Sequence, residues 1–467
     1  MKLPRIMLAA PASGSGKTLI TCGLLQLFLN RGKHPAAFKC GPDYIDPMFH
    51  RRVIGTPSKN LDTFFTDINV TRYLFGKEAK KADISVLEGV MGFFDGVGGI
   101  TDQSSSYELA KVTDTPVILV VNAKGMSLSV VPMIQGFLNY RKDSHIKGVI
   151  LNQTTKMTYS LLKKQIEQEL EIKVLGYVPR CPELTIESRH LGLVTPNEIA
   201  DLREKIEKLA ELLEETLDIE GIFDLANQAA NLEWEDVKVP NIELSIGQKA
   251  PRIGMARDEA FCFCYQDNLE LLQEMGAEIV EFSPLHDKTL PSKLDGMILY
   301  GGYPELYAEE LSKNSGIKEE IKQAIQRGMP YLAECGGFMY LQETMEDMKG
   351  NKYPMVGVQN GQAYATEKLG RFGYITLSTE KDNQLLWKNE CIKAHEFHYF
   401  DTTDNGEDYH AKKPMGSGKW DCIHGGENYA AGYPHLYYYS NPDFVFRFLK
   451  SCRKWQQNRE TVETEQS

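Results

Sequence analysis

At 467 residues the chain is too long for one ordinary core, and two domains of about 200 residues each are expected. Its 42% hydrophobic and 25% charged content is that of a globular chain. The net charge of −12 excludes a general nucleic-acid binder, which needs clustered Lys and Arg, but leaves room for a local basic pocket for a small anion.

Nine cysteines, odd in number and scattered, have no disulfide-like spacing. The first residues run straight into a strand-like segment without a leader pattern, and no apolar run approaches the ~20 residues of a membrane span. These features predict a cytoplasmic chain with reduced thiols and neither nucleic acid nor membrane as a partner. They leave a homodimer open.

In chain order, residues 5–10, 84–87, 116–121 and 147–151 are apolar runs that predict buried strands. Residues 17–30, 105–112, 159–170 and 197–217 predict helices between or after them. The alternation predicts an α/β fold, a doubly wound parallel sheet covered by helices, over residues 1–235. Residues 236–250 are polar and without periodicity, and predict a linker. A second α/β pattern fills 251–455: strands at 252–255, 278–282, 296–300 and 331–333, with helices at 265–275 and 318–326. The polar tail 456–467 is expected to be disordered.

The first strand leads into Ser13-Gly14-Ser15-Gly16-Lys17-Thr18 and then an apolar helix, the parts of a P-loop in the required order. The two glycines let backbone N–H groups face phosphate oxygens. Lys17 reaches the β- and γ-phosphates of ATP, Thr18 offers its hydroxyl to Mg²⁺, and the helix N-terminus favours the anion. The usual first glycine is replaced by Pro11. Gly416-Ser-Gly-Lys419 repeats the letters, but Trp420 stands in place of the hydroxyl residue and no amphipathic helix follows, so it is read as a loop.

Two acidic segments follow predicted strands: Gly41-Pro-Asp43-Tyr44-Ile-Asp46 and Glu88-Gly-Val-Met-Gly-Phe-Phe-Asp95. Carboxylates at strand ends beside a P-loop suit Mg²⁺, which takes few protein oxygens together with phosphates and waters. Asp43 and Asp46 can equally serve as turn caps around the two prolines.

In the second domain, Tyr331-Leu-Ala-Glu334-Cys335-Gly336-Gly337 joins a strand to a helix-like stretch. A sharp strand-to-helix turn exposes its central side chain, and the helix N-terminus is expected to lower the thiol pKa. Gly336 frees an N–H for an oxyanion hole, and Gly301-Gly302 after another strand offers a second donor or is a plain tight turn. The base is sought in His395-Glu-Phe-His398 or in His435. The former is one residue short of the zinc motif H-E-x-x-H, and His435 is preferred.

Together these motifs resemble the cobyrinic/cobyric acid synthase family of glutamine amidotransferases, and most closely its cobyrinic acid a,c-diamide synthase branch. The first domain is also similar to dethiobiotin synthetase. The resemblance spans about residues 5–454. It implies a class I glutamine amidotransferase domain with Cys335 as nucleophile and His435 as base. It also implies that the first domain phosphorylates carboxylates a and c of cobyrinic acid with MgATP, and that ammonia from L-glutamine displaces the phosphate. Thr18, Asp43 and Glu88 would stand near Mg²⁺, and Asp43, Tyr44, Asp46 and Asp95 near the activated carboxylate. Most class I domains carry Glu two residues after the histidine; here it is Tyr437, so the third member stays unassigned.

Hydrogenobyrinic acid and nickel sirohydrochlorin are alternative substrates for the same chemistry. A P-loop switch of the chromosome-partition type is the alternative from another class. Ala12 stands where those ATPases carry a second lysine, and they have no use for a Cys-Gly-Gly elbow.

Overall fold

The computed structural model describes residues 1–184, 196–244, 248–382 and 385–465. The chain divides into two compact units, Met1–Val237 and Lys238–Ser467. The boundary falls within the predicted linker, of which residues 245–247 lie outside the described ones. The first unit extends as far as it does because Trp234 packs on Gly76 and Glu235 exchanges hydrogen bonds with Asn69.

In the first unit, β1 (Arg5–Ala9), β2 (Pro35–Cys40), β3 (Ser58–Leu61), β4 (Ile84–Glu88), β5 (Val117–Asn122), β6 (Ile146–Asn152) and β7 (Lys173–Val178) form one sheet. Its order is β3-β2-β4-β1-β5-β6-β7 and every pairing is parallel. All five residues of β1 and of β4 are buried, which requires cover on both faces. The helices are α1 (Lys17–Asn30), α2 (Ile45–Phe49), α3 (Ile68–Ala79), α4 (Ser106–Val112), α5 (Val130–Tyr140), α6 (Lys156–Leu170), α7 (Pro196–Thr216) and α8 (Ile219–Asn227). Leu24, Leu27 and Phe28 of α1 pack with Leu209 and Leu213 of α7 in one apolar core. Because β2, β4 and β1 are neighbours, the loops leaving their C-terminal ends meet at one edge of the sheet.

The second unit has a six-stranded sheet ordered β10-β8-β11-β13-β23-β22, parallel except for its last pair. Its first half contains β8 (Arg252–Ala256), β9 (Phe261–Phe263), α9 (Gln266–Glu274), β10 (Glu278–Phe282), β11 (Gly296–Leu299), β12 (Gly301–Gly302), α10 (Ala308–Lys313), α11 (Ser315–Gln326), β13 (Tyr331–Glu334) and α12 (Gly336–Leu341). Two further sheets follow α12 that the sequence-based expectation does not include, one mixed and one antiparallel. One is built from β14 (Thr344–Glu346), β15 (Lys352–Pro354), β16 (Gln362–Ala365) and β19 (Phe400–Thr402). The other joins β17 (Phe372–Ser378), β18 (Cys391–Phe397), β20 (Tyr409–Lys412), β21 (Lys419–Cys422) and β24 (His435–Leu436). The main sheet closes with β22 (His424–Gly425) and β23 (Tyr429–Gly432).

The expected disordered tail is corrected: the last helix, α13 (Pro442–Glu465), runs through it, with residues 466 and 467 outside the described ones. The helix continues because polar side chains there find buried partners. Gln456 donates to the Ala250 carbonyl, and Arg459 meets the buried Asp295 at 3.0 Å. Among the described residues no helix is long and apolar enough to cross a membrane.

Candidate active sites

The P-loop leaves β1 and enters α1 through Gly16, whose φ of 94° is left-handed and costs little only for glycine. A side chain there is doubly excluded, since a Cβ would lie 2.2 Å from Asn152 Nδ2. Asn152, at the end of β6, donates to the Ser15 carbonyl at 2.8 Å and so ties the loop to the sheet. Ser15 Oγ donates to the Ala12 carbonyl, while Ser13 and Gly14 are exposed at the loop's tip. Lys17 Nζ donates to the Met91 carbonyl at 2.6 Å and to that of Ala12 at 3.4 Å. Burial, reinforced by Lys39, lowers its pKa to about 8.

The acidic segments meet this loop as the strand order requires. Thr18 Oγ1 donates to Glu88 Oε1 at 2.5 Å and stands 3.5 Å from Asp46 Oδ2. Sequence reasoning passed over Lys39. It lies directly opposite Glu88 in the β2–β4 register, with Nζ 2.8 Å from Glu88 Oε1, 2.5 Å from Asp46 Oδ2 and 4.0 Å from Asp43 Oδ2. A lysine inside a fully buried strand was the available signal. Burial opposes the Lys39 charge, but Glu88, Asp46 and Asp43 outweigh it and hold its pKa well above the ordinary value. Burial raises Glu88 to about 7. It pushes Asp46 up as well, but Lys39 prevails and Asp46 ends below its usual value.

The remaining residues divide. Asp43 Oδ1 accepts from the backbone N–H groups of Ile45 and Asp46, so it caps the turn into α2, and Asp46 rather than Asp43 reaches Thr18. Tyr44 is buried at the start of that turn. Asp95 closes its own loop by accepting from Gly92 N–H at 2.8 Å. Among the described residues no three Asp, Glu, His or Cys side chains converge to hold a metal by themselves. The hydroxyl and carboxylate oxygens at Thr18, Asp46 and Glu88 still fit a hard cation that brings phosphate oxygens with it. Glu88 Oε2, buried with no hydrogen bond of its own among the described residues, adds to that fit.

In the second unit the C-terminal ends of the neighbouring strands β11, β13 and β23 carry Gly301, Cys335 and His435. Cys335 sits at φ 47°, ψ −109°, a strained conformation for a non-glycine residue, between β13 and α12. Its N–H donates to the Gly432 carbonyl at 2.8 Å, which locks the elbow to β23. Gly301 is the point of closest approach: a Cβ there would lie 2.4 Å from His435 Cε1, 3.3 Å from its Nε2 and 3.3 Å from Cys335 Cβ. The Gly336 N–H adjoins the thiol, and the Gly302 N would lie 3.1 Å from a Cβ placed on Gly336, so the two glycines are neighbours.

His395 and His435 are register partners on β18 and β24, and their rings stack with centroids 5.0 Å apart. His395 Nδ1 lies 3.0 Å from the Tyr265 hydroxyl, and His398 stacks on Tyr433 with centroids 4.1 Å apart. Of the candidate bases, only His435 is placed against both Gly301 and Cys335 by these contacts. The expected lowering of the thiol pKa is corrected. Burial pushes Cys335 up, Glu305 adds to it, and a helix of six residues offers too little dipole to compensate. Burial, with His395 and His398 nearby, pushes His435 well down. Burial therefore disfavours the charged form of both groups.

Comparison with known proteins agrees with this two-part arrangement. Residues 6–194 match the CobQ/CobB/MinD/ParA nucleotide binding domain, and residues 252–443 the CobB/CobQ-like glutamine amidotransferase domain. The chain is 40% identical over 449 residues to the cobyrinate a,c-diamide synthase of Caldanaerobacter subterraneus subsp. tengcongensis, covering 96% of this chain and 98% of that one. It is 38% identical over 456 residues to that of Listeria innocua, covering 96% and 100%, and 36% identical over 464 residues to that of Priestia megaterium, covering 97% and 98%. With both domains in place and the likeness running nearly end to end, the chain belongs to the cobyrinate a,c-diamide synthase family of glutamine-dependent amidotransferase ligases.

Proposed function

We propose that the protein is a cytoplasmic enzyme of cobalamin biosynthesis that converts carboxylates a and c of cobyrinic acid into amides, using ATP and L-glutamine. One observation carries the reading: a single chain holds both a P-loop facing the Lys39–Asp46–Glu88 cluster and a strained cysteine beside a buried histidine.

A carboxylate is a poor acyl donor, and phosphorylation supplies a leaving group. In the first unit a substrate carboxylate oxygen takes the γ-phosphoryl group of ATP and ADP departs. Lys17 and the loop N–H groups orient the phosphates, and Lys39 offsets the negative charge that gathers as the two anions approach. Thr18, Asp46 and Glu88 would hold Mg²⁺, which when bound neutralises phosphate charge. Ammonia then attacks the acyl carbon and inorganic phosphate leaves.

The second unit supplies that ammonia. Cys335 sulfur attacks the glutamine carboxamide as its proton passes to His435, and the N–H groups of Gly302 and Gly336 face the developing oxyanion. His435 returns the proton to the departing ammonia, and water then releases glutamate from the thioester.

The test is amide product by mass spectrometry from each nitrogen source in turn. Cys335→Ala should lose glutamine-driven synthesis and glutaminase activity while ammonium salt still supports amidation. Surviving glutamine-driven synthesis would place the nucleophile elsewhere. Running cobyrinic acid, hydrogenobyrinic acid and nickel sirohydrochlorin side by side tests the substrate; a preference for either of the last two overturns cobyrinic acid.

A further inference from the structure

Glu334, the residue before the nucleophile, ends β13 opposite Gly432 of β23, and His435 follows three residues later. This places Glu334 Oε2 3.7 Å from His435 Nδ1, with both residues only 2% exposed. The ring's other nitrogen, Nε2, turns toward Gly301 and the Cys335 side of the pocket. The imidazole thus stands between a carboxylate and a thiol. Burial opposes the carboxylate's charge, while the Leu436 N–H and the Tyr438 hydroxyl favour it. Tyr300 OH in turn donates to Tyr438 OH at 3.4 Å.

Tyr437, two residues after the histidine, is committed elsewhere: its hydroxyl donates to Asp267 Oδ2 at 3.1 Å. The other titratable groups around the ring are Cys335, His395 and His398, with Tyr300 and Tyr438 behind Glu334 and the carboxylates of Glu305 and Glu396 acting on Cys335.

We infer that Glu334 is the positioning residue of the Cys335–His435 pair, its carboxylate receiving the Nδ1–H of His435 and steadying the imidazolium formed when His435 takes the thiol proton. The inference rests on the reading that these two residues release ammonia from glutamine. A separation of 3.7 Å exceeds a hydrogen bond, and catalytic contacts of this kind close as substrate binds and charge develops. Burial opposes a lone carboxylate and a lone imidazolium alike, so opposite charges arising together on neighbours offset each other's cost. The acid of this site then lies in the strand before the nucleophile instead of following the histidine.

The experiment uses the full chain with Glu334→Gln, which keeps the volume and removes the charge, and with Glu334→Asp, which restores the charge. Glutaminase kcat should fall about 10²-fold or more in the Gln variant, with the glutamine KM within about twofold. The acidic limb of its kcat/KM profile should move to lower pH, because His435 loses the anion that favours its charged form. Glu334→Asp should recover at least about tenfold over Gln. Ammonia-driven amidation should match the unmutated enzyme in both variants. A kcat within about threefold in Glu334→Gln, an unmoved acidic limb, or equal loss of ammonia-driven synthesis would each overturn the assignment. Cys335→Ala, run alongside, separates the two readings. Glutamine hydrolysis surviving there refutes the nucleophile itself, whereas its loss there with an intact Glu334→Gln refutes only the role of Glu334.

Discussion

Lys39 and Glu88 face each other across neighbouring parallel strands, Nζ to Oε1 at 2.8 Å, with Asp46 Oδ2 2.5 Å from the same ammonium. Removing the lysine leaves two buried carboxylates without their cation. Lys39→Met should cost about 3 kcal/mol of stability, read from urea unfolding, because a broken buried pair leaves its partner uncompensated. Adding Glu88→Gln should restore part of that loss in a double-mutant cycle. Amide formation in Lys39→Met should drop by about 10²-fold or more with glutamine and with ammonia alike. Additive losses in the cycle would contradict the pairing.

Lys17 donates to the carbonyls of Met91 and Ala12, groups it can leave for phosphate oxygens. Lys17→Ala should abolish synthesis from both nitrogen sources while glutaminase activity in the second unit persists. Measurable ammonia-driven amidation in that variant would remove the P-loop from the chemistry.

Burial of this pair has a pH signature. A thiol pushed above its usual value gives thiolate only as pH rises past about 9, and a histidine pushed below about 6.5 offers no imidazolium near neutrality. Alkylation of Cys335 by iodoacetamide, followed peptide by peptide, should therefore be slow at pH 7 and climb steadily to at least about pH 10. A plateau between about pH 6 and 7 would reveal a preformed thiolate–imidazolium pair instead. His435→Ala should then be nearly as inactive in glutamine hydrolysis as Cys335→Ala, since no standing thiolate remains to act without the base.

Arg459 is the outer partner of Asp295, which is fully buried and also accepts the Arg252 N–H. Arg459→Ala should destabilise the protein by about 1–3 kcal/mol without changing P-loop chemistry. Denaturant midpoints measured beside ammonia-driven synthesis would check both halves of this expectation.

Much of this was legible in the sequence, for reasons that separate by residue. The P-loop and the Cys335 elbow announce themselves because their order of strand, glycine and helix is local. Glu88 could be read because it follows a clear apolar run. The roles of Lys39 and Glu334 could not, because each depends on strand register, with Lys39 opposite Glu88 and Glu334 opposite Gly432. Most of the strands from β14 to β22 escaped because they are only two to four residues long and partly exposed, so no sustained alternation betrays them. The direction of the Cys335 pKa went wrong because local logic saw a helix N-terminus, while burial is set by the whole unit.

The β13–β23 pairing carries one more consequence, for assembly. Glu334 and Gly432 become neighbours only after roughly 98 intervening residues have been drawn into a loop, an entropic cost of about 4 kcal/mol before any contact rewards it. Nucleophile and base come from opposite ends of this loop, so they meet only when β13 and β23 pair. During refolding from denaturant, glutaminase activity should return with the native fold of the second unit and not before it. The ammonia-releasing centre would thus be withheld until its own unit is complete.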